Sequence, residues 1–142
     1  MVLLVGSAGE NRLEYLKPAE LLYISGNPEQ IVIETDLGET GKGGSICEAV
    51  ADMRETATGK VLLDTVEQLI ADRKVLSTLQ EAPLLFRPAV MVWIGEGKID
   101  PERAAEFLRG RKGGKTLLEI RTASETAETL QERKGKYWIE TG

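Results

Sequence analysis

The sequence contains no histidine, and this absence removes several kinds of catalytic site at once. Ser-His-Asp and Cys-His catalysis, proton transfer through imidazole and metal sites with histidine ligands are all excluded. Cysteine occurs once, as Cys47, so the chain cannot form an internal disulfide. A single cysteine fits a reducing compartment, and we predict a cytoplasmic protein, or a soluble fragment of a larger exported protein.

Long apolar runs are also missing. A helix that spans a bilayer needs about 20 consecutive apolar residues, and no run in this chain approaches that length. The apolar residues 1–5 are too few for the core of a signal peptide, and they lack the basic n-region that a signal peptide has. The sequence therefore predicts no membrane span.

Positive charge is scarce, since 18 lysines and arginines face 23 aspartates and glutamates, for a net charge of −5. The densest basic segment, residues 109–115, is short and lies in a predicted turn, which favours a solvated loop over a phosphate contact. Nucleic-acid-binding proteins usually present an extended basic surface, which this acidic chain lacks. We therefore predict no nucleic-acid partner.

What the chain does contain is typical of one globular domain. It has 142 residues, of which 42% are hydrophobic and 29% charged. Apolar, β-rich segments alternate with amphipathic helical segments, and the sequence has no internal repeat. We predict a single α/β or α+β domain over residues 1–142, with about three helices packed on a mixed β-sheet.

Periodicity, turn residues and helix caps locate the predicted elements. Strands are expected at residues 2–5, 21–24, 31–34, 60–64, 89–94 and 136–140. Helices are expected at residues 45–57, within 72–81 and from 100 to 110. Residues 66–76 fit a helix, but residues 61–70 could also form one longer strand with a bend. Residues 116–121 fit a strand or the start of a helix. The apolar strands 60–64 and 89–94 are expected to be buried on both faces.

The most informative stretch is residues 31–57, where an apolar strand leads into a glycine-rich segment and then into a helix. Ser45 and Glu48 form a capping-box pattern, which predicts that the helix begins at Ser45. Residues 38–44 contain four glycines and are predicted to form a flexible turn. A strand, a turn and a capped helix in succession indicate the start of an α/β unit.

The same segment is a candidate anion site. A phosphate cradle uses backbone N–H groups at a helix N-terminus, glycines that permit close approach and usually a lysine. Gly41, Lys42, Gly43, Gly44 and Ser45 supply these groups. The Walker pattern is not met, because the lysine is followed by glycine and not by serine or threonine. The sequence therefore favours a surface loop over an anion site at these residues.

Two aspartates form a candidate metal site. Asp36 and Asp64 each follow an apolar strand, and two parallel neighbours would place both at the carboxyl edge, where open α/β sheets bind ligands. Together with Glu34 or Glu39 they could hold Mg²⁺. Each also suits a structural role, Asp36 in a turn and Asp64 as a helix cap, and this structural interpretation is favoured.

Cys47 falls in the first turn of the predicted helix, a position that favours a nucleophilic thiol. Without histidine, catalysis would need Lys42 as a base or a bare thiolate. We therefore expect a half-buried structural cysteine. The sequence predicts no catalytic residue and no cofactor.

One part of the chain, about residues 43–95, resembles a known family. The similar residues are Ser45, Glu48, Ala49 and Met53, then Thr58-Gly59-Lys60-Val61 and Leu63, then Leu69-Ile70 and Asp72-Arg73-Lys74-Val75. This pattern is similar to that of the Ger(x)C proteins, the lipoprotein components of spore-germination receptors. The resemblance implies a non-enzymatic interaction domain from a spore-forming bacterium, in which a second helix and an apolar strand follow the Thr-Gly strand.

The residues and the resemblance together predict a domain that acts by binding a protein partner or a second copy of itself. The alternative is a phosphate- or nucleotide-binding enzyme that uses residues 38–45 as a cradle and Asp36 and Asp64 at a metal. The enzyme requires a pocket above residues 41–45 into which both aspartates point, whereas the binding domain requires an exposed interface.

Overall fold

Strands that are continuously apolar in the centre, such as Gln68–Asp72 and Met91–Glu96, or alternating, such as Gln30–Thr35, combine with apolar stripes on the helices to produce a mixed β-sheet with helices on both faces. The computed structural model describes residues 3–6, 13–81, 85–111, 113–122 and 126–141. They form one α+β domain, which confirms the predicted fold class.

The described residues form eleven strands, which we number in order along the sequence. The strands are β1 (Leu3–Gly6), β2 (Leu13–Pro18), β3 (Leu21–Asn27), β4 (Gln30–Thr35), β5 (Thr40–Gly43), β6 (Lys60–Leu62), β7 (Gln68–Asp72), β8 (Met91–Glu96), β9 (Lys115–Thr116), β10 (Glu128–Arg133) and β11 (Lys136–Glu140). The α-helices are α1 (Ile46–Thr56), α2 (Pro101–Leu108) and α3 (Leu117–Thr122), and a 3₁₀ helix spans Arg73–Glu81.

The large sheet has the strand order β11-β10-β8-β7-β3-β4-β5, and β9 also pairs with β8. Its middle strands, β10, β8, β7 and β3, are parallel to one another. The outer strands β4, β5 and β11 are antiparallel to their neighbours. A smaller sheet has the order β1-β2-β6. The parallel strands thus lie in the middle of the large sheet, and β7 and β8 are buried on both faces.

Each face of the large sheet has its own core. On the first face, Ile46, Val50 and Met53 of α1 are buried in one cluster with Ile33 and Val92 of the sheet. On the second face, residues of α2 and of β7, β8 and β10 form a smaller cluster. Its buried members are Leu21, Ile70, Trp93, Ile99, Ala104, Ala105, Leu108 and Leu130. Among the described residues, no helix has the length and apolar character needed to cross a membrane.

Several predicted elements are confirmed. Strands β3 and β4 form the expected hairpin, and β8 is a central strand of the large sheet. The side chain of Ser45 caps α1, and Asp100 caps α2 with Pro101 in the first turn. Residues 136–140 form an edge strand as predicted. The strand predicted at residues 2–5 corresponds to β1, although Val2 lies outside the described residues.

Other expectations were wrong. Residues 40–43 were expected in a flexible turn but form β5, which pairs with β4. The strand expected at 60–64 does not lie in the middle of the large sheet, because β6 pairs with β2 in the smaller sheet. For two stretches the sequence allowed alternatives, and these are not errors: residues 61–76 divide between β6, β7 and the 3₁₀ helix, and residues 116–121 fall mainly in α3, the helical alternative. Strands β2 and β10 were not predicted at all.

Candidate functional site

The glycine-rich segment packs tightly against helix α1. A Cβ atom on Gly41 would lie 2.1 Å from the carbonyl oxygen of Ala49, and one on Gly43 would lie 2.6 Å from the Cβ atom of Glu48. Real Cβ atoms do not approach other atoms so closely, so only glycine lets β5 and α1 meet at this distance. The glycines therefore have a packing role, which was not foreseen.

Backbone donors in this segment bond to carboxylates of α1. The N–H group of Lys42 donates to Oδ2 of Asp52 at 2.8 Å, and that of Gly44 donates to Oε2 of Glu48 at 2.7 Å. The Oγ atom of Ser45 accepts a hydrogen bond from the N–H group of Glu48 at 3.1 Å. Two of the donors that a bound anion would use are thus paired with carboxylates of the chain itself.

The two candidate metal ligands lie in different surface depressions. Oδ1 of Asp36 accepts hydrogen bonds from the N–H groups of Glu20 and Leu21, at 2.9 and 3.1 Å. This contact joins the turn after β4 to the start of β3. Asp64 is exposed in the turn after β6, in a depression that Arg54 also lines. The structure therefore gives Asp36 a clear structural role and does not bring the two side chains into one pocket.

The carboxylates proposed to assist them are also separated. Glu39 forms an ion pair with Lys17, whereas Glu34 lines the same depression as Asp36. Among the residues that the structure describes, no group of three or more cysteine, aspartate or glutamate side chains is arranged to hold a metal ion.

The Cys47 side chain is more exposed than expected. The sequence predicted a half-buried structural cysteine, but the side chain is exposed on the first turn of α1. The apolar stripe of α1 explains this position, because Ile46, Ala49, Val50 and Met53 face the sheet and leave Cys47 on the solvent side.

A row of three titratable side chains crosses the second face of the sheet. Tyr23 on β3 is paired with Glu34 on β4, and its hydroxyl donates to Oδ1 of Asp72 on β7 at 2.7 Å. Burial is the largest cause that raises the pKa of all three groups. For Glu34 the negative charge of Asp100 adds to the rise, whereas the hydrogen bond from Tyr23 opposes it at Asp72. Sequence reasoning missed Tyr23 and Asp72, although alternation along β3 places Tyr23 on the same face as Leu21.

Replacing Asp72 with asparagine is expected to stabilise the protein at neutral pH. Burial raises the pKa of Asp72 above its ordinary value of 3.8, so the folded state holds this proton more tightly than the unfolded chain does. The resulting stability is present below pH 3.8 and is lost as the pH rises through the folded pKa. Asparagine keeps an acceptor for the hydroxyl of Tyr23 without carrying a charge.

Urea unfolding of both proteins at neutral pH and below pH 3.8 tests this expectation. The Asp72→Asn variant should exceed the wild type at neutral pH and lose that advantage in acid. Asp64→Asn, in an exposed turn, is the control. A difference between Asp72→Asn and the wild type that stays constant with pH would contradict the proposed cause.

The two depressions beside α2 differ in charge. One, of about 350 Å³, is lined by Glu34, Asp36, Asp100 and Glu102 and has no basic residue in its lining. Another, of about 400 Å³, is mixed, since three basic residues line it together with two acidic ones: Lys98, Arg103, Lys134, Asp100 and Glu132. The hydroxyl of Tyr137 accepts a hydrogen bond from the N–H group of Asp100 at 3.0 Å, which ties β11 to the start of α2.

The two ends of the large sheet differ in how they are covered. At one end α1 packs along β5, and Asp52 accepts the hydrogen bond of the Lys42 N–H group at 2.8 Å. The pairing of β4 with β5 directs this N–H group away from β4, toward the outside of the sheet. The edge at β5 is therefore blocked, as natural proteins commonly do to prevent unwanted strand pairing.

At the other end β11 is open. It forms a hairpin with β10 through the two-residue turn Lys134-Gly135, in which both φ angles are positive, 54° and 80°. Arg133 and Lys136 flank such a turn as a hydrogen-bonded pair, so alternate residues, including Trp138, bond to β10. The N–H and C=O groups of Tyr137 and Ile139 consequently point outward. No strand in the described part of the chain pairs with this side of β11.

The side chains of β11 alternate between the two faces. Tyr137 and Ile139 pack against the cluster on the second face, and the ring of Tyr137 lies 5.9 Å from that of Phe107 on α2. Trp138 is on the first face and is 39% exposed. The strand is thus held firmly by its inner residues while a large aromatic side chain and the outer backbone groups remain accessible.

Comparison of the chain with protein families, with characterised proteins and with solved structures finds no match.

Proposed function

We propose that this protein is a non-enzymatic interaction domain that binds another protein chain along the open edge strand β11. The observation that carries the proposal is the difference between the two edges: α1 blocks β5, whereas the outer side of β11 faces no described strand. A chain that adds a strand to such an edge gains main-chain hydrogen bonds and contacts with alternate side chains.

The chemistry of β11 supports this function. Natural edge strands are commonly protected by charged side chains, bulges, prolines or a covering element, and β11 has charges at its two ends, Lys136 and Glu140. The strand β11, with the sequence KYWIE, carries an exposed tryptophan at its centre and has neither a proline nor a bulge in its pairing with β10. Tryptophan and tyrosine are enriched at the centres of protein interfaces.

The enzyme alternative has less support. It needs residues 41–45 as an anion cradle, yet Glu48 and Asp52 accept the hydrogen bonds of Gly44 and Lys42 in that segment. It also needs Asp36 and Asp64 in one pocket, and they line separate depressions. Binding of a nucleotide would have to displace two internal carboxylates.

The biological setting is part of the proposal. An exposed free thiol at Cys47 suits a reducing compartment, which supports a cytoplasmic location. The resemblance to Ger(x)C proteins stays a prediction. Under that resemblance the domain would be an interaction part of an exported bacterial protein.

Site-specific photo-crosslinking tests the proposed function. A benzophenone amino acid at position 138 is expected to form a covalent adduct with a protein chain in the cells that produce the domain. The same amino acid at position 118 is the control, because Leu118 is 50% exposed and lies on α3, outside β11. Adducts at neither position, or equal adducts at both, would contradict a function of β11.

A further inference from the structure

We propose that the partner of β11 is the β11 strand of a second copy of this chain, paired antiparallel about a two-fold axis at Trp138. This inference rests on the proposed function and names the occupant of the open edge. Its support is the complementarity of the strand with itself, both in backbone hydrogen bonding and in charge.

The backbone groups that point outward are placed for this pairing. They belong to Tyr137 and Ile139, which lie one residue on either side of Trp138. A two-fold axis at Trp138 places Tyr137 of each copy opposite Ile139 of the other copy, which gives two equivalent pairs. Each of these becomes a hydrogen-bonded pair, so the contact gains about four interchain hydrogen bonds. Trp138 then faces its own copy in a non-hydrogen-bonded pair, where side chains approach most closely.

The charges at the two ends of the strand match in the same register. Lys136 of one copy lies opposite Glu140 of the other, so both ends of the contact join opposite charges. Tyr137 and Ile139 extend the apolar second face from one copy to the next. Parallel pairing would instead place Lys136 beside Lys136 and Glu140 beside Glu140, which is unfavourable.

The side chains of Glu140 and Lys136 are also positioned for a contact with another chain. The carboxylate of Glu140 accepts hydrogen bonds from Nε1 of Trp138 at 3.2 Å and from Nε2 of Gln131 at 3.0 Å. It is thereby held at the face on which Lys136 of the second copy would arrive. The Lys136 side chain is exposed and forms no ion pair with a described residue. One end of the strand thus offers an oriented carboxylate, that of Glu140. The other end offers Lys136, which has no ion pair with a described residue.

The expected dimer is weak, because two five-residue strands bury less surface than a stable protein interface requires. Sedimentation velocity of the full chain should therefore show a monomer at low concentration and a growing dimer fraction as the concentration rises. Compared with Ile139→Ala, which removes the same packing on the second-face cluster but keeps the N–H group, Ile139→Pro also removes the outward N–H group from each copy while leaving the bonds to β10 in place. This variant is expected to stay monomeric throughout.

A charge-swap experiment tests the register. Lys136→Glu and Glu140→Lys are each expected to weaken dimerisation at least tenfold, because each places like charges opposite one another, and the double variant should restore it. Lys60→Glu changes the net charge by the same amount as Lys136→Glu, at an exposed residue of β6, and should leave dimerisation unaltered. Failure of the double variant to restore dimerisation would overturn the register.

Disulfide trapping is a second test of the register, and it does not depend on charge. Opposed residues in a non-hydrogen-bonded pair have Cα atoms about 4.5 Å apart, within the range that a disulfide spans. In a Cys47→Ser background, Trp138→Cys should form an interchain disulfide under mild oxidation. Lys136→Cys should not, since it lies opposite Glu140.

The outcomes separate this inference from the proposed function. A wild-type chain that is monomeric at every concentration, together with no disulfide at position 138, overturns self-pairing. If position 138 nevertheless crosslinks to a different protein in cells, the interaction function stands with another partner. If position 138 gives neither a dimer nor an adduct, both proposals fail.

Discussion

Replacing Gly41 with alanine is expected to lower the free energy of unfolding by about 3 kcal/mol, the upper part of the usual range for overpacked cores. The added methyl group would lie 2.1 Å from the carbonyl oxygen of Ala49 and 2.8 Å from the Cβ atom of Met53. These atoms belong to the middle of α1 and cannot move without shifting the helix away from β5. Urea denaturation followed by circular dichroism measures the loss.

Gly44→Ala is the matched control within the same segment. Among the described residues, the one atom within 3 Å of its added Cβ would be Oε2 of Glu48, at 2.9 Å, the far end of a flexible side chain. We expect this variant to lose less than about 1 kcal/mol, as most surface substitutions do. If the two alanine variants lost equal stability, the close packing of β5 on α1 would not explain why position 41 is glycine.

The sequence predicted most elements of the fold that have a strong local signal. Ser45 with Glu48 and Asp100 with Pro101 identified both long helices, because capping is a contact between residues three or fewer apart. The hairpin of β3 and β4 followed from two apolar runs around a turn. These features depend on neighbours along the chain and so are visible without the tertiary structure.

Elements determined by distant contacts were missed. Strand β10 has the sequence ETLQER, in which only Leu130 is fully buried, so its strand state depends on pairing with β8 and β11. The strand β5 contains two glycines, which usually weaken a strand. Here they admit α1 at close range, a tertiary contact that no local pattern contains.

The candidate site was only partly accessible from the sequence for the same reason. The edge strand at residues 136–140 was predicted, but its importance depends on which other edge is covered, and that is decided by the contact between Asp52 and Lys42. The grouping of Tyr23, Glu34 and Asp72 depends on the strand order β7-β3-β4. Strand order is set by long-range pairing, which one sequence does not display.

Replacing Trp93 with alanine is expected to cost about 4 kcal/mol, within the range for large aromatic residues deleted from a core. The side chain is 1% exposed, and it belongs to the same cluster as Leu130 of β10. Its Nε1 atom donates a buried hydrogen bond to Oε1 of Gln68 at 2.6 Å. The substitution therefore creates a cavity and also leaves a buried acceptor without its donor.

Two further variants separate these contributions. Trp93→Phe keeps most of the ring but orphans Oε1 of Gln68, and it should cost about 1 to 3 kcal/mol. Adding Gln68→Leu removes the orphaned acceptor and should recover much of that loss. If the double variant were no more stable than Trp93→Phe alone, the hydrogen bond would not be the reason for the loss.

The Trp93→Ala variant also tests whether the core supports the proposed interface. Tyr137 and Ile139 pack against the cluster that contains Trp93, so the inner side of β11 is supported by this ring. Hydrogen exchange in the β10–β11 hairpin of Trp93→Ala should therefore become faster, and dimerisation should weaken although no residue of β11 has changed. Suppose that a folded Trp93→Ala variant shows unaltered hydrogen exchange and unaltered dimerisation. The edge strand would then be stable without the core beneath it, and packing of Tyr137 and Ile139 against this core would not be what keeps the open side of β11 ordered.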